Sequence, residues 1–356
     1  RVCMTPAGVV AMKKNGHDVL VEKTAGIAAG FLDEEYIAAG ATIVDTPAGI
    51  FEKCDMVMHV KEPQPSEYDM IREDQIIFTY LHLAADEQQT RALIKSKSID
   101  IAYETIEKDN GSLPLLLPMS EVAGRMATQE AAKYLEMPQG GMGILLGGVT
   151  GVEPATVVVI GGGVVGINAA KMACGLGAKV YILDTNLERL RYLDDVMPAN
   201  CFPIMSNAAI LEEFVIKADV VIGAVLVAGA KAPKLLTREM LKKMKDGSVI
   251  VDVAIDQGGC FETSKATTHT EPTYVVEGVI HYCVANMPGA VARTSTRALT
   301  NATLPYAIEI ANKGWKKAMQ DNKEIKLGAN VIKGQVTFKA VAEAFNLDYT
   351  PVEKFL

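Results

Sequence analysis

The chain alternates short apolar runs with amphipathic stretches. Val157 to Ile160 is an unbroken β-branched run, too short for a buried helix, and reads as a strand covered on both faces of a parallel sheet. Gly161, Gly163 and Gly166 follow at G-x-G-x-x-G spacing, and a helical stretch from Val164 to Leu176 stops at Gly177. Lys179 to Leu183 then forms a second strand closing on Asp184. Further on, the pattern predicts helices near Leu187 to Leu193 and over Ala208 to Lys217, with strands near Cys201, over Asp219 to Ile222 and over Gly247 to Val253.

The earlier part of the chain repeats this alternation without a glycine motif. Thr5-Pro6 opens a helix that Gly16 stops, Asp33 caps a short helix, and an amphipathic helix runs from about Asp86 to Ile94. Strands are expected over His17 to Glu22, Ala41 to Val44, Asp55 to Val60, Gln75 to Leu81 and Ile99 to Ala102. Ser120 to Leu135 reads as a long helix capped by Ser120, and the glycine cluster from Gly140 to Gly151 as a mobile linker. A long helix from Ser295 to Met319 carries the chain back to a tail whose helix, Thr337 to Phe345, has little to cover near the glycine motif. Strands alternating with helices imply βαβ units, hence an α/β protein of two doubly wound domains. Residues 123–299 form the dinucleotide-binding domain, inserted into a discontinuous substrate domain of residues 1–122 and 300–356.

Composition narrows the function. With 356 residues there is chain enough for two cores. A net charge of −8 argues against nucleic acid and anionic membranes as partners. The six cysteines are scattered without a C-x-x-C pair, which points to reduced cytoplasmic thiols and no metal site. No stretch reads as a signal peptide or as able to cross a bilayer.

The chemistry gathers at strand ends, where open parallel sheets bind ligands. In the glycine motif one glycine makes the tight turn, one admits a pyrophosphate and one packs helix on strand, while the helix N-terminus attracts the anion. Asp184 accepts from ribose hydroxyls and repels a 2′-phosphate, which favours NAD over NADP. Lys61, His82 and Asp256 fall at three other strand ends, and each alone is commonplace. Together they offer a cation, a group titrating near neutrality and a carboxylate, a set suited to oxidising an amino or hydroxy acid. The Tyr80–His82 alternation puts both side chains on one strand face. His17, His59, His269 and His281 read as structural, and Trp315 as packing.

Longer motifs carry a resemblance. RVxMTPAGV at the start, VKEP at 60–63, FTYLHLAAD at 78–86, AYET at 102–105 and LPLLLPMSEVAGRMA at 113–127 look like alanine dehydrogenase. So do GGVTGVEPATVVVIGGGVVG at 147–166, GAVLVAGAKAPKLL at 223–236, VDVAIDQGGCFE at 251–262 and YCVANMPGAVARTSTRALTNATLPY at 282–306. The resemblance implies two Rossmann-type domains with the active site in the cleft between them. It implies that Arg1 and Lys61 hold the carboxylate of alanine or pyruvate, His82 exchanges the proton, and Asp256 activates water. Met119 and Asn286 line the pocket. Around NAD it implies Ser120, Val164, Asp184, Arg189 and Ser206, then Val225 and Leu226. Val253, Ala254 and Ile255 follow, with Lys265 and the run Val284, Ala285 and Met287. The implied reaction converts L-alanine, NAD and water to pyruvate, ammonium and NADH, in a homohexamer. The family also carries a further strand of about a dozen residues before the arginine that Arg1 matches, so an N-terminal piece is expected to be missing. The alternative is the soluble NAD(H)-binding component of a proton-translocating transhydrogenase, which shares the fold and the fingerprint but does no chemistry on a small substrate.

Overall fold

The β-branched run forms the strand Thr156–Ile160, fifth of seven in one sheet of the computed structural model, which describes residues 1–225 and 233–356. Those residues fall into two units, Ser120–Ala290 and Arg1–Met119 with Val291–Leu356. In the first, the strand order is Thr273–Val276, Val279–Tyr282, Val249–Asp252, Val220–Gly223, Thr156–Ile160, Lys179–Asp184, Cys201–Met205. All pairs are parallel except the leading hairpin, whose turn residues Glu277 and Gly278 both have positive φ. The central strands are apolar on both faces because both are covered: Val158, Ile160, Val221 and Ile250 pack with Leu211, Val215 and Phe261.

The other unit holds a five-stranded mixed sheet ordered Gln335–Val336, Ala329–Ile332, Ile99–Ala102, Ile76–Thr79, Met56–Met58. The last three strands are parallel and the two from the C-terminal part are antiparallel, an edge common on α/β sheets. Leu20–Glu22 and Thr42–Val44 pair separately as a two-stranded parallel sheet. The strand expected over His17 to Glu22 is therefore shorter, and it belongs to a second sheet.

Several local expectations are corrected. Asp33 does not cap its helix; Leu32 occupies that position, Glu35 accepts its N–H at 2.7 Å, and Asp33 takes the Thr24 N–H instead. Ser120 is no cap either, since its helix runs Leu117–Tyr134 with Pro118 in the first turn, where a missing N–H costs nothing. The glycine cluster is not a free linker: Met142 and Gly143 donate to Gly247 and Leu135, and Ala155 to Leu146. The long helix spans Ala292–Asp321 but breaks at Gly314, whose φ of 73° and ψ of 155° suit glycine alone. Among the described residues all six cysteines are free, and no helix is long and apolar enough to cross a membrane.

Asp100 is fully buried in the middle strand of the mixed sheet, with Oδ1 accepting from Ser98 Oγ at 2.8 Å and Oδ2 without a partner. Burial raises its pKa well above the usual carboxylate value, so the fold favours the neutral acid. A raised folded pKa contributes stability that is complete below the unfolded pKa, about 3.9, and is lost as pH climbs towards the folded value. Asp100→Asn should therefore raise Tm more at pH 8 than at pH 4, and thermal denaturation at the two pH values checks it. An equal shift at both pH values would mean that Asp100 is charged in the fold.

Candidate active site

The glycine loop has a distinct structural reason at each position. Gly161 has φ of 103°, and a Cβ there would lie 2.7 Å from the Ala224 carbonyl oxygen. Gly166 packs its helix on the strand so closely that a Cβ would fall 1.8 Å from the Gly161 oxygen. Gly163 stands at the N-terminus of the helix Val164–Gly175, with no side-chain cap and nothing within 4 Å of an added Cβ. Free N–H groups facing open space beside side-chain-free backbone fit a pyrophosphate. A dinucleotide thus fits the residues present.

Asp184 ends the next strand as expected. Its Oδ2 accepts from Gly162 N–H at 2.7 Å and its Oδ1 from Asn186 N–H at 2.8 Å, which leaves lone pairs on both oxygens for ribose hydroxyls. Arg189 Nε donates to the Gly162 carbonyl at 2.5 Å, and Ser206 N–H to the Asp184 carbonyl at 2.9 Å. These residues form one rim around the loop. Val225 adds a methyl 3.1 Å from the position of a Cβ on Gly161. Leu226 lies outside the described residues. The helix Leu117–Tyr134 presses on the same loop helix. A Cβ on Gly124 would meet the Val165 oxygen at 2.3 Å, Thr128 Oγ1 donates to the Ala169 carbonyl at 2.8 Å, and Ser120 is in that helix's first turn.

A second cluster in this unit surrounds Asp256, on the short turn Val253–Gln257 after the strand Val249–Asp252. Asn286, with φ of 58°, donates its N–H to Asp256 Oδ1 at 3.3 Å and faces His269 Nε2 through its carbonyl at 3.2 Å. Val284 and Met287 are buried on either side, Ala285 is half-buried, and Ala254 and Ile255 are buried in the turn. Lys265 is exposed, its ammonium 4.6 Å from the centroid of the Tyr274 ring. His281 is structural: burial lowers its pKa to about 4, and both ring nitrogens are engaged, by the Val279 carbonyl and Thr263 Oγ1.

The other unit holds Arg1, Lys61, His82 and Met119. Arg1 Nη1 approaches Met119 Sδ at 3.0 Å. The half-exposed Lys61 follows the strand Met56–Met58, and its carbonyl accepts from Thr79 Oγ1 at 2.9 Å, which ties it to the strand that leads to His82. His82 is left-handed, φ 49°, and its ring stacks on Tyr80 at 5.8 Å with 5° between planes. Tyr80 is itself fixed, its hydroxyl donating to the Leu115 carbonyl at 2.5 Å. Burial pushes its pKa up, only partly opposed by Arg1, so it remains a neutral phenol.

Glu104 completes this cluster and was not singled out from the sequence. It accepts from the N–H of Leu81 and of His82, the latter at 2.6 Å, and lies 3.8 Å from His82 Nδ1. Its signal was available, because it follows the strand Ile99–Ala102 and so shares the strand-end position of the other candidates.

Comparisons with known proteins identify the family. The N-terminal domain of alanine dehydrogenase/PNT matches residues 1–123, and the C-terminal domain matches 127–339. Alanine dehydrogenase of Methanococcus maripaludis is 57% identical over all of this chain and 96% of its own length. That of Halomonas elongata is 58% identical over 98% of this chain and 94% of its own. A solved L-alanine dehydrogenase superposes with a TM-score of 0.94 at 50% identity, covering 97% of this chain and 95% of that one. A transhydrogenase from Sinorhizobium meliloti is more distant, with a TM-score of 0.81 at 26% identity over 96% of each chain. With both family domains matched in order along nearly its whole length, the chain belongs to the alanine dehydrogenase/PNT family.

Proposed function

We propose that the protein is an alanine dehydrogenase, converting L-alanine, NAD and water to pyruvate, ammonium and NADH. The observation that carries this over the transhydrogenase alternative is the His82 cluster. A histidine stacked on Tyr80 and backed by Glu104, in the same unit as Arg1 and Lys61, serves proton transfer on a carboxylate substrate. A module that only binds nucleotide has no use for it.

Arg1 and Lys61 take the substrate carboxylate, the guanidinium as a fork and the ammonium as a mobile point charge. His82 removes a proton from the amino group as the imine forms and returns one during hydrolysis. Asp256, held by the Asn286 N–H, orients the water that attacks the imine carbon and stabilises the carbinolamine. Met119 and Asn286 are assigned to the substrate pocket on the family resemblance alone. Bound NAD supplies the acceptor for the hydride that leaves the alanine Cα. For the nucleotide, the glycine loop and Ser120 take the pyrophosphate, Asp184 takes the ribose hydroxyls, and Arg189, Ser206 and Val225 form the adenosine side. Val253, Ala254, Ile255, Lys265, Val284, Ala285 and Met287 complete the cofactor site. The enzyme is assigned as a cytoplasmic homohexamer on its family membership.

The test is spectrophotometric. L-alanine and NAD should yield NADH, more completely at alkaline pH because the forward reaction also releases a proton, and NADP should give little. A protein that binds NAD but turns over no L-alanine would favour the transhydrogenase-like module.

A further inference from the structure

The buried carboxylate of Asp252 lies four residues before Asp256 and takes no part in the chemistry above. It has no exposed surface and is ringed by donors. Oδ1 accepts from Ala254 N–H at 3.1 Å and faces Cys260 Sγ at 3.5 Å. Oδ2 accepts from Cys260 N–H at 2.9 Å, Phe261 N–H at 3.3 Å and Ser264 Oγ at 2.5 Å. The chain from 253 to 264 is thus folded back round one side chain, and Gly259, at φ 74°, is a glycine because a Cβ there would stand 2.6 Å from Oδ2. Lys234 grips the same bend from outside, donating to the Gly258 and Gly259 carbonyls at 2.6 and 2.8 Å.

The network also reaches the strand that leads to Asn286. Cys283 Sγ lies 3.9 Å from Ser264 Oγ and 3.6 Å from the Tyr274 hydroxyl, which accepts the Lys265 N–H and donates to the Thr263 carbonyl. Asp252 therefore anchors the segments bearing Asp256, Lys265 and the 284–287 run, all within one unit. Burial raises its pKa, while the Ser264, Cys260 and Phe261 donors oppose that shift.

From this we infer that Asp252 is a positioning residue for the reaction: by satisfying the amides of the returning chain it sets the direction of the Asp256 carboxylate. This rests on the proposed role of Asp256. An amide in place of the acid keeps the volume but, whichever way it is turned, sets an NH₂ group against a backbone N–H, that of Ala254 or those of Cys260 and Phe261. Donor then faces donor, and the bend must open.

The experiment is a double-mutant cycle on kcat with L-alanine and NAD, using Asp252→Asn, Asp256→Asn and the double variant. If Asp252 acts through Asp256, Asp252→Asn should lower kcat about tenfold or more alone and about twofold or less beside Asp256→Asn. Ser264→Ala removes one donor to Asp252 and should show the same coupling with a smaller loss, so a poorly folding Asp252→Asn protein leaves the cycle intact. Equal factors in both backgrounds, or normal kcat for both Asp252→Asn and Ser264→Ala, would overturn the inference while leaving Asp256 catalytic. An Asp256→Asn enzyme with normal kcat would instead overturn the role of Asp256, and the positioning role with it.

Discussion

His82→Asn should lower kcat by about a hundredfold or more, the usual contribution of a positioned general acid–base group. Asparagine is the informative replacement because His82 sits in the left-handed region, which asparagine tolerates and most residues resist. The Glu104 hydrogen bonds to this turn come from the backbone N–H groups of Leu81 and His82, so they survive the change. The fold keeps its turn, and only the imidazole and its stacking on Tyr80 are lost. NAD affinity should barely move, because the glycine loop belongs to the other unit. Steady-state kinetics with an NADH fluorescence titration test both halves. Near-normal turnover would reduce His82 to a structural residue.

Gly166→Ala should be nearly as damaging, by a different route. A methyl 1.8 Å from a backbone oxygen cannot be accommodated by a rotamer change, so the loop helix must lift from its strand. Overpacking of this kind costs about 1–3 kcal/mol, and here it also displaces the N–H groups meant for the pyrophosphate. NAD binding should weaken about tenfold or more, each lost charge-assisted bond costing roughly 1.5–3 kcal/mol. Gly163→Ala is the contrasting case. Its methyl meets nothing in the fold, so Tm should hold while NAD binding falls by a similar factor. Calorimetry and NAD titration of the two variants separate packing from ligand space. Full NAD affinity in Gly163→Ala would move the pyrophosphate away from this helix.

What was legible in the sequence is what neighbouring residues determine. The glycine spacing, the β-branched strand before it and the acid after the next strand are local constraints, and each took its expected place. So did the proline-started helix Pro6–Lys14, with Thr5 as its cap. Pairing is not local. The sequence showed strands in the first region but not that two of them pair apart from the other three, nor that the C-terminal tail supplies an antiparallel edge. Ser120 was misplaced because proline in a first helical turn looks like a boundary when only composition is read. Asp252 escaped notice because it acts mainly by accepting backbone N–H groups, and amides leave no mark in a string of side chains, whereas Glu104 carried a strand-end signal and only its N–H partners were hidden. The candidate residues could be picked out by type, whereas the supports beneath His82 and Asp256 needed coordinates.

The double attachment of Asp184 has an evolutionary consequence. The residue proposed to select the cofactor is also a strut of the glycine loop, with one oxygen on Gly162 and the other on the start of the following helix. A substitution there by a residue that cannot accept makes two changes at once, because the charge proposed to repel a 2′-phosphate and the tie to Gly162 are lost together. Asparagine separates the two, since its amide oxygen can still accept the Gly162 N–H while the charge and the second tie, to Asn186, are given up. Position 184 is thus constrained by the geometry of its acceptors as well as by its charge.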